Sequence, residues 1–267
     1  MSRPTHLVDM LLGVWDSIDA LCSPLSESQW KTLTECPGWT VQDTVSHLLS
    51  SELGLHGEPP TSHRATDLSN VKNPIGEFNE HEIDFRRSRS GAEVFAEWQQ
   101  ISRRRRHTLT TEDDEYFARE MMTPTGPGTF ADFLHIRVMD AWVHEQDIRR
   151  VLQLPGNDGG IAAEHSIGRF VRSLPMVVGK RGKAPDGSLV QVNLTGPVVN
   201  SFLIATNGGK ASHVDSGTPT CTISLDSNTY AALACGRQFF APNDARVTIS
   251  GDVALGERIM AGFNVMI

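Results

Sequence analysis

The sequence predicts two domains: an all-α four-helix bundle over residues 1–155 and a small α+β domain over 161–267. Three observations carry this. A chain of 267 residues is long for one core and comfortable for two. Up to about Leu154 apolar residues recur at the helical spacing of three and four, whereas beyond it short strand-like runs alternate with brief helical patches. Between the halves, residues 155–160 read PGNDGG, a linker composition.

The first helix carries Leu7, Met10, Leu11, Val14, Trp15 and Ile18, and Ser23-Pro24 stops it. A second begins at Thr40, where Asp43 completes a capping box with Asp in place of Glu or Gln; it holds Val41, Val45, Leu48, Leu49 and Glu52. Residues 58–69, rich in Pro, His and Ser, read as a loop. Ser90 caps the third helix through Val94, Phe95, Trp98, Ile101 and Leu109. After the turn-rich TPTGPGT comes the fourth, from Phe130 to Val151, which ends ahead of Pro155-Gly156. Four such helices predict a bundle. Beyond the linker the pattern gives a helix over 162–174 stopped by Pro175, strands at 189–194, 202–205, 221–225 and 246–249, and helical patches at 227–235 and 252–263. Helices mixed with a mixed or antiparallel sheet make an α+β domain.

Composition narrows the function classes. A chain that is 39% hydrophobic and 21% charged folds into a core. Its charge of 24 − 32 = −8 argues against binding nucleic acid or an anionic membrane surface. No apolar run approaches the roughly 18 residues of a membrane span, and the N-terminal segment reads as an amphipathic helix rather than a secretion signal. Cys22, Cys36, Cys221 and Cys235 are scattered, so reduced thiols and a cytoplasmic location are expected.

The fourth helix carries candidate chemistry. At 100° per residue, Phe130, Leu134, Arg137, Ala141, His144 and Ile148 share one sector, with Asp140 one turn before His144. An Asp and a His at i, i+4 reach one Zn²⁺; the alternative is an Asp140–Arg137 ion pair beside a satisfied core histidine. On the second helix His47 lies off the apolar stripe and reads either as a surface residue or as a third ligand. The run Arg103, Arg104, Arg105, Arg106 rings its helix and reads as a solvated end. Cys36 has no identifiable histidine partner, and Cys221 and Cys235 read as small core residues.

Four segments, CPGWTVQDTVSHLLSSE (36–52), DAWVHEQDIRRVLQLPG (140–156), VVGKRGKAPDG (177–187) and LACGR (233–237), resemble the actinobacterial mycothiol-dependent maleylpyruvate isomerase family. The resemblance implies a DinB-like metal-binding bundle followed by a sterol-carrier-like domain. It implies zinc on His47, Asp140 and His144, with Asp140 standing where the isomerase pattern has Glu. It implies mycothiol as thiol cosubstrate: a metal-activated thiolate adds to the cis double bond of maleylpyruvate, the bond rotates, and elimination gives the trans isomer. The same thiol serves an S-transferase acting on another electrophile, and a catalytically silent metal-stabilised small-ligand binder is the alternative from another class. The substrate expected is a small anionic or electrophilic molecule, and the protein a monomer or small homo-oligomer. Among the basic candidates Arg237, Lys180, Arg181 and Arg137, the resemblance favours Arg237 as the catalytic anion clamp; the alternative for it is a cation at a helix C-terminus.

Overall fold

The computed structural model describes residues 3–266. It divides into two units, at the boundary between Asn157 and Asp158.

In the first unit, α1 (Thr5–Cys22) ends just ahead of Ser23-Pro24, and a single turn, α2 (Glu27–Trp30), follows. The next helix, α3 (Val41–His56), starts on the expected capping box: Asp43 N donates to Thr40 Oγ1 at 3.1 Å, and Thr40 N donates to Asp43 Oδ2 at 2.9 Å. Its end is Gly57, whose φ of 93° suits a residue without Cβ. A helix absent from the sequence reading comes next, α4 (Pro74–Arg87), with Asn73 as N-cap and Pro74 in its first turn. The Ser90–Glu93 capping box opens α5 (Gly91–Thr111). Gly91 meets Trp30 so closely that a Cβ there would lie 2.0 Å from its ring. After a short α6 (Asp114–Ala118), the turn-rich segment folds as a hairpin of β1 (Glu120–Thr123) and β2 (Gly126–Thr129). Thr129 and Asp132 then cap α7 (Phe130–Leu152).

The four expected helices α1, α3, α5 and α7 form the bundle, and α4 lies against α3. Trp15 and Trp98 meet edge to face at its centre, 5.7 Å apart. From Arg137 to Ile148, α7 is buried on every side except at the half-buried Asp140. Past its end the chain folds back: the Asn157 carbonyl accepts from Trp142 Nε1 at 2.8 Å and Gln146 Nε2 at 3.0 Å, and its side chain donates to Glu145 at 2.6 Å.

The second unit opens with α8 (Gly160–Val171). Pro175 does not stop this helix; it sits in the first turn of α9 (Leu174–Met176), where its missing N–H costs little, and a π-helical turn follows at Val177–Arg181. Five strands, β3 (Leu189–Thr195), β4 (Asn200–Asn207), β5 (Lys210–Val214), β6 (Cys221–Asp226) and β7 (Val247–Gly251), form one sheet in the order β5-β4-β3-β6-β7. The β3–β6 pair is parallel and the rest antiparallel. Alternation buries Val190, Val192, Leu194, Ile204, Ile223 and Leu225. Two helices, α10 (Ser227–Ala234) and α11 (Val253–Ala261), each begin on an aspartate cap, Asp226 and Asp252.

All four cysteines are buried, and none is in a disulfide. Burial pushes the Cys22 thiol far above its ordinary range, and the Cys221 thiol up to about 11. Neither of these carries thiolate near pH 8 and Cys36 and Cys235 are shielded by burial, so Ellman's reagent is expected to find no rapidly reacting thiol in the native protein and four after denaturation. A fast native thiol would contradict the packing. Among the described residues no helix is long and apolar enough to cross a membrane.

Candidate metal centre

The long helix α7 and its neighbour α3 bring His47, Asp140 and His144 together, with one donor atom from each lying within 4.8 Å of the others. His47 Nε2 is 3.3 and 3.4 Å from the two Asp140 oxygens, and His144 Nε2 is 3.6 Å from Asp140 Oδ1. Such separations are long for a charge-assisted hydrogen bond, which runs about 2.7–2.9 Å. They match the edge of a tetrahedron with zinc bonds of about 2.0–2.2 Å, roughly 3.3–3.6 Å. Two imidazole nitrogens and a carboxylate oxygen are also a donor set that suits Zn²⁺, so the residues fit such an ion. Both histidines are buried, His47 at 7% and His144 at 5% exposure, whereas the Asp140 side chain is 21% exposed, so the cluster is more open on that side.

Electrostatics keep the donors in ligating form. Burial pushes the His47 imidazole below its ordinary value, and the nearby Asp140 charge offsets this only in part. For Asp140, burial alone would raise the carboxyl, but His47 and Arg137 outweigh it and hold it well below the usual carboxylate range. His144 Nδ1 lies 3.1 Å from Asp147 Oδ2. A carboxylate only accepts, so Nδ1 donates and the Nε2 lone pair is left facing the cluster. Asp147 is held in turn by Arg150 at 2.5 Å, and Arg150 by Glu35 at 2.5 Å.

The ion-pair alternative for Asp140 is present within the cluster. Arg137 Nη1 donates to Asp140 Oδ2 at 2.5 Å while Nε donates to Glu52 Oε1 at 3.0 Å. Glu52, fully buried, also accepts from Arg105 Nε at 3.0 Å. Arg105 is therefore no part of a solvated helix end: at 1% exposure it pairs with Glu52 and with the Tyr116 hydroxyl, while Arg103 and Arg104 stay exposed. His47, open to a surface reading in the sequence, is a buried member of the cluster. Sequence reasoning missed Asp147 and Arg105; the i, i+3 spacing of Asp147 from His144 was the available signal for the first.

Arg237 belongs to the α+β unit. It follows Gly236, at φ 65°, just past the end of α10; it is half-buried, with Nη1 donating to the Cys235 carbonyl at 3.3 Å. Arg181 donates to the carbonyls of Gly262 and Asn264 near the C-terminus.

A helical unit gathering two histidines and a carboxylate from two helices, followed by an α+β unit, defines a two-domain protein with a candidate single-metal centre in its helical half. Residues 11–149 match the family model described as the mycothiol maleylpyruvate isomerase N-terminal domain, and the chain belongs to that family. Residues 179–264 match the SCP-2 sterol transfer family. Two solved structures, the mycothiol-dependent maleylpyruvate isomerase and a histidine-to-alanine mutant of it, each cover 92% of this chain and 92% of their own. Their TM-scores are 0.59 and 0.57 at 15% and 14% identity, which shows a shared fold. Among curated proteins, two uncharacterized proteins of Mycobacterium tuberculosis, from strains CDC 1551 / Oshkosh and ATCC 25618 / H37Rv, are each 25% identical over 154 residues. The match spans 57% of this chain and 58% of theirs.

Proposed function

We propose that this protein is a zinc-dependent enzyme that uses mycothiol to isomerise a maleylpyruvate-like substrate. The observation that carries the reading is the convergence of His47, Asp140 and His144, each histidine Nε2 3.3–3.6 Å from an Asp140 oxygen, inside a domain of the mycothiol maleylpyruvate isomerase family. A Zn²⁺ held by three protein ligands supplies a Lewis acid with an open position, which favours the thiolate form of a thiol at neutral pH. The chain's own residues prepare that site: Asp147 fixes the His144 tautomer, and Arg137, braced by Glu52, holds Asp140 ionised and in place. The α+β unit, of the SCP-2 family, supplies small-molecule binding surface and the anion clamp Arg237. Four buried reduced thiols suit a cytoplasmic enzyme.

The test is metal analysis of the purified protein, then turnover of maleylpyruvate with and without mycothiol. About one equivalent of zinc and strictly thiol-dependent isomerisation, with the thiol recovered, are expected. Consumption of the thiol would make the enzyme an S-transferase, and zinc without any thiol-dependent turnover would leave a binding protein.

Arg237→Ala is expected to lower kcat/KM by roughly 30- to 1000-fold, since a guanidinium–carboxylate contact is worth about 2–4 kcal/mol in the transition state. Zinc content stays unchanged, and Arg237→Lys rescues only in part because it keeps the charge and loses the two-pronged geometry. Near-normal turnover in the alanine variant would make Arg237 a helix-end cation.

A further inference from the structure

We propose that Trp39 is a positioning residue for the metal centre: its indole, pinned to Glu80, holds the His47 imidazole in its ligating orientation. This rests on the metal reading above. The two histidines are not supported alike. His144 is oriented by Asp147 through Nδ1. Among the described residues no hydrogen bond to His47 Nδ1 is made; its contacts run through Nε2 to Asp140. An imidazole has a broad, two-fold χ2, so a ring without that second hydrogen bond takes its orientation from packing. The packing at hand is Trp39, whose ring centroid is 5.2 Å from that of His47 and 5.6 Å from that of His144, the latter stacked at 29°. The indole does for His47 what a carboxylate does for His144.

The residue is itself fixed through its indole N–H and through its backbone. Its Nε1 donates to Glu80 Oε2 at 3.2 Å, on α4. Glu80 is held by Arg87 at 2.6 Å, and Arg87 also reaches Asp43 in the first turn of α3 at 3.3 Å. Its backbone closes a turn: the Trp39 carbonyl accepts from Thr34 N at 2.8 Å and from Thr34 Oγ1 at 2.9 Å, while Trp39 N donates to Cys36 O at 3.0 Å. Leu33 and Thr40 form a β-bridge across the base of that turn. The same turn carries Glu35, the far end of the Arg150–Asp147–His144 chain. One short loop therefore supports both histidines, one through a ring and one through charges.

The experiment loads metal-free protein with Co²⁺, whose visible absorption reports coordination geometry, and measures affinity by chelator competition, with activity left out of the readout. Wild type is expected to take up one equivalent with the intense band of a low-coordinate site. Trp39→Ala, with an unchanged circular dichroism spectrum, binds Co²⁺ about tenfold or more weakly and with an altered band, the size of effect that supporting residues of metal sites show. Trp39→Phe, which keeps a ring against the imidazoles, stays within about threefold of wild type. Should the alanine variant not fold, Trp39→Leu, apolar and without a ring, carries the same expectation. Unchanged affinity and band in the alanine or leucine variant overturn this proposal alone. Failure of wild type to bind Co²⁺, or full binding by His144→Ala, overturns the metal reading and this proposal with it.

Discussion

His144→Ala is expected to strip the metal and lower thiol-dependent turnover by two to four orders of magnitude, while the helical circular dichroism signal is kept. The two effects share one origin. His144 is one of three candidate donors, and a site left with one imidazole and one carboxylate would bind zinc weakly. Losing Lewis-acid activation of the thiol removes a contribution of about 3–5 kcal/mol from the transition state. The helix itself tolerates the change, because alanine is the best helix former and the lost ring lies beside Trp39 and His47 rather than in the aliphatic core. Atomic emission analysis beside the assay checks both parts. Full zinc in the variant would place the metal elsewhere. His47→Ala should behave alike, since its nitrogen lies 3.3 Å from Asp140, nearer than that of His144 at 3.6 Å.

The second large effect is on stability. Glu52→Leu is expected to destabilise the helical unit by about 3–5 kcal/mol, the cost of leaving a buried charge without its partner. Glu52 is fully buried between Arg105 and Arg137, themselves 1% and 3% exposed, so its removal strands guanidinium groups on two helices. For a unit of this size each kcal/mol moves the melting temperature by about 2–4 °C, so thermal and urea unfolding resolve it easily. Replacing Arg105 and Arg137 by apolar residues in the same variant should recover much of the loss, because the charges then vanish together. A loss under about 1 kcal/mol would show that water or rearrangement relieves the pair. Arg137 also contacts Asp140, so the Glu52 variant is expected to hold its metal less tightly as well.

What the sequence showed and hid follows the same physics. The helices α1, α3, α5 and α7 were legible because they bury apolar faces at helical spacing and three of them open on capping boxes. The helix α4 was hidden because its pattern is inverted: Glu80, Glu82 and Arg86 are buried, while Ile75, Phe78 and Phe85 are exposed. It is held by ion pairs to Glu97 and Asp43 rather than by an apolar stripe, and only Asn73-Pro74 marked its start. Arg105 was misread for a related reason. A run of four arginines gives no sign of which one turns inward, and the answer lay in Glu52, 53 residues earlier. The His47–Asp140–His144 set was legible as types and spacing on two helices, but Trp39 and Glu35 act from a loop whose position no periodicity encodes.

The chain past α7 has a practical consequence. Helix hydrogen bonding ends at Leu152, yet the next five residues return to the helix, and Asn157 binds Trp142, Gln146 and Glu145 at once. A gene cut to express the helical half alone should therefore end beyond Asn157. Stopping at Leu152 would leave the buried Trp142 indole N–H without its acceptor and take one hydrogen bond from the buried Glu145, which keeps only Ser17 and Arg149, on the same helix that carries Asp140 and His144.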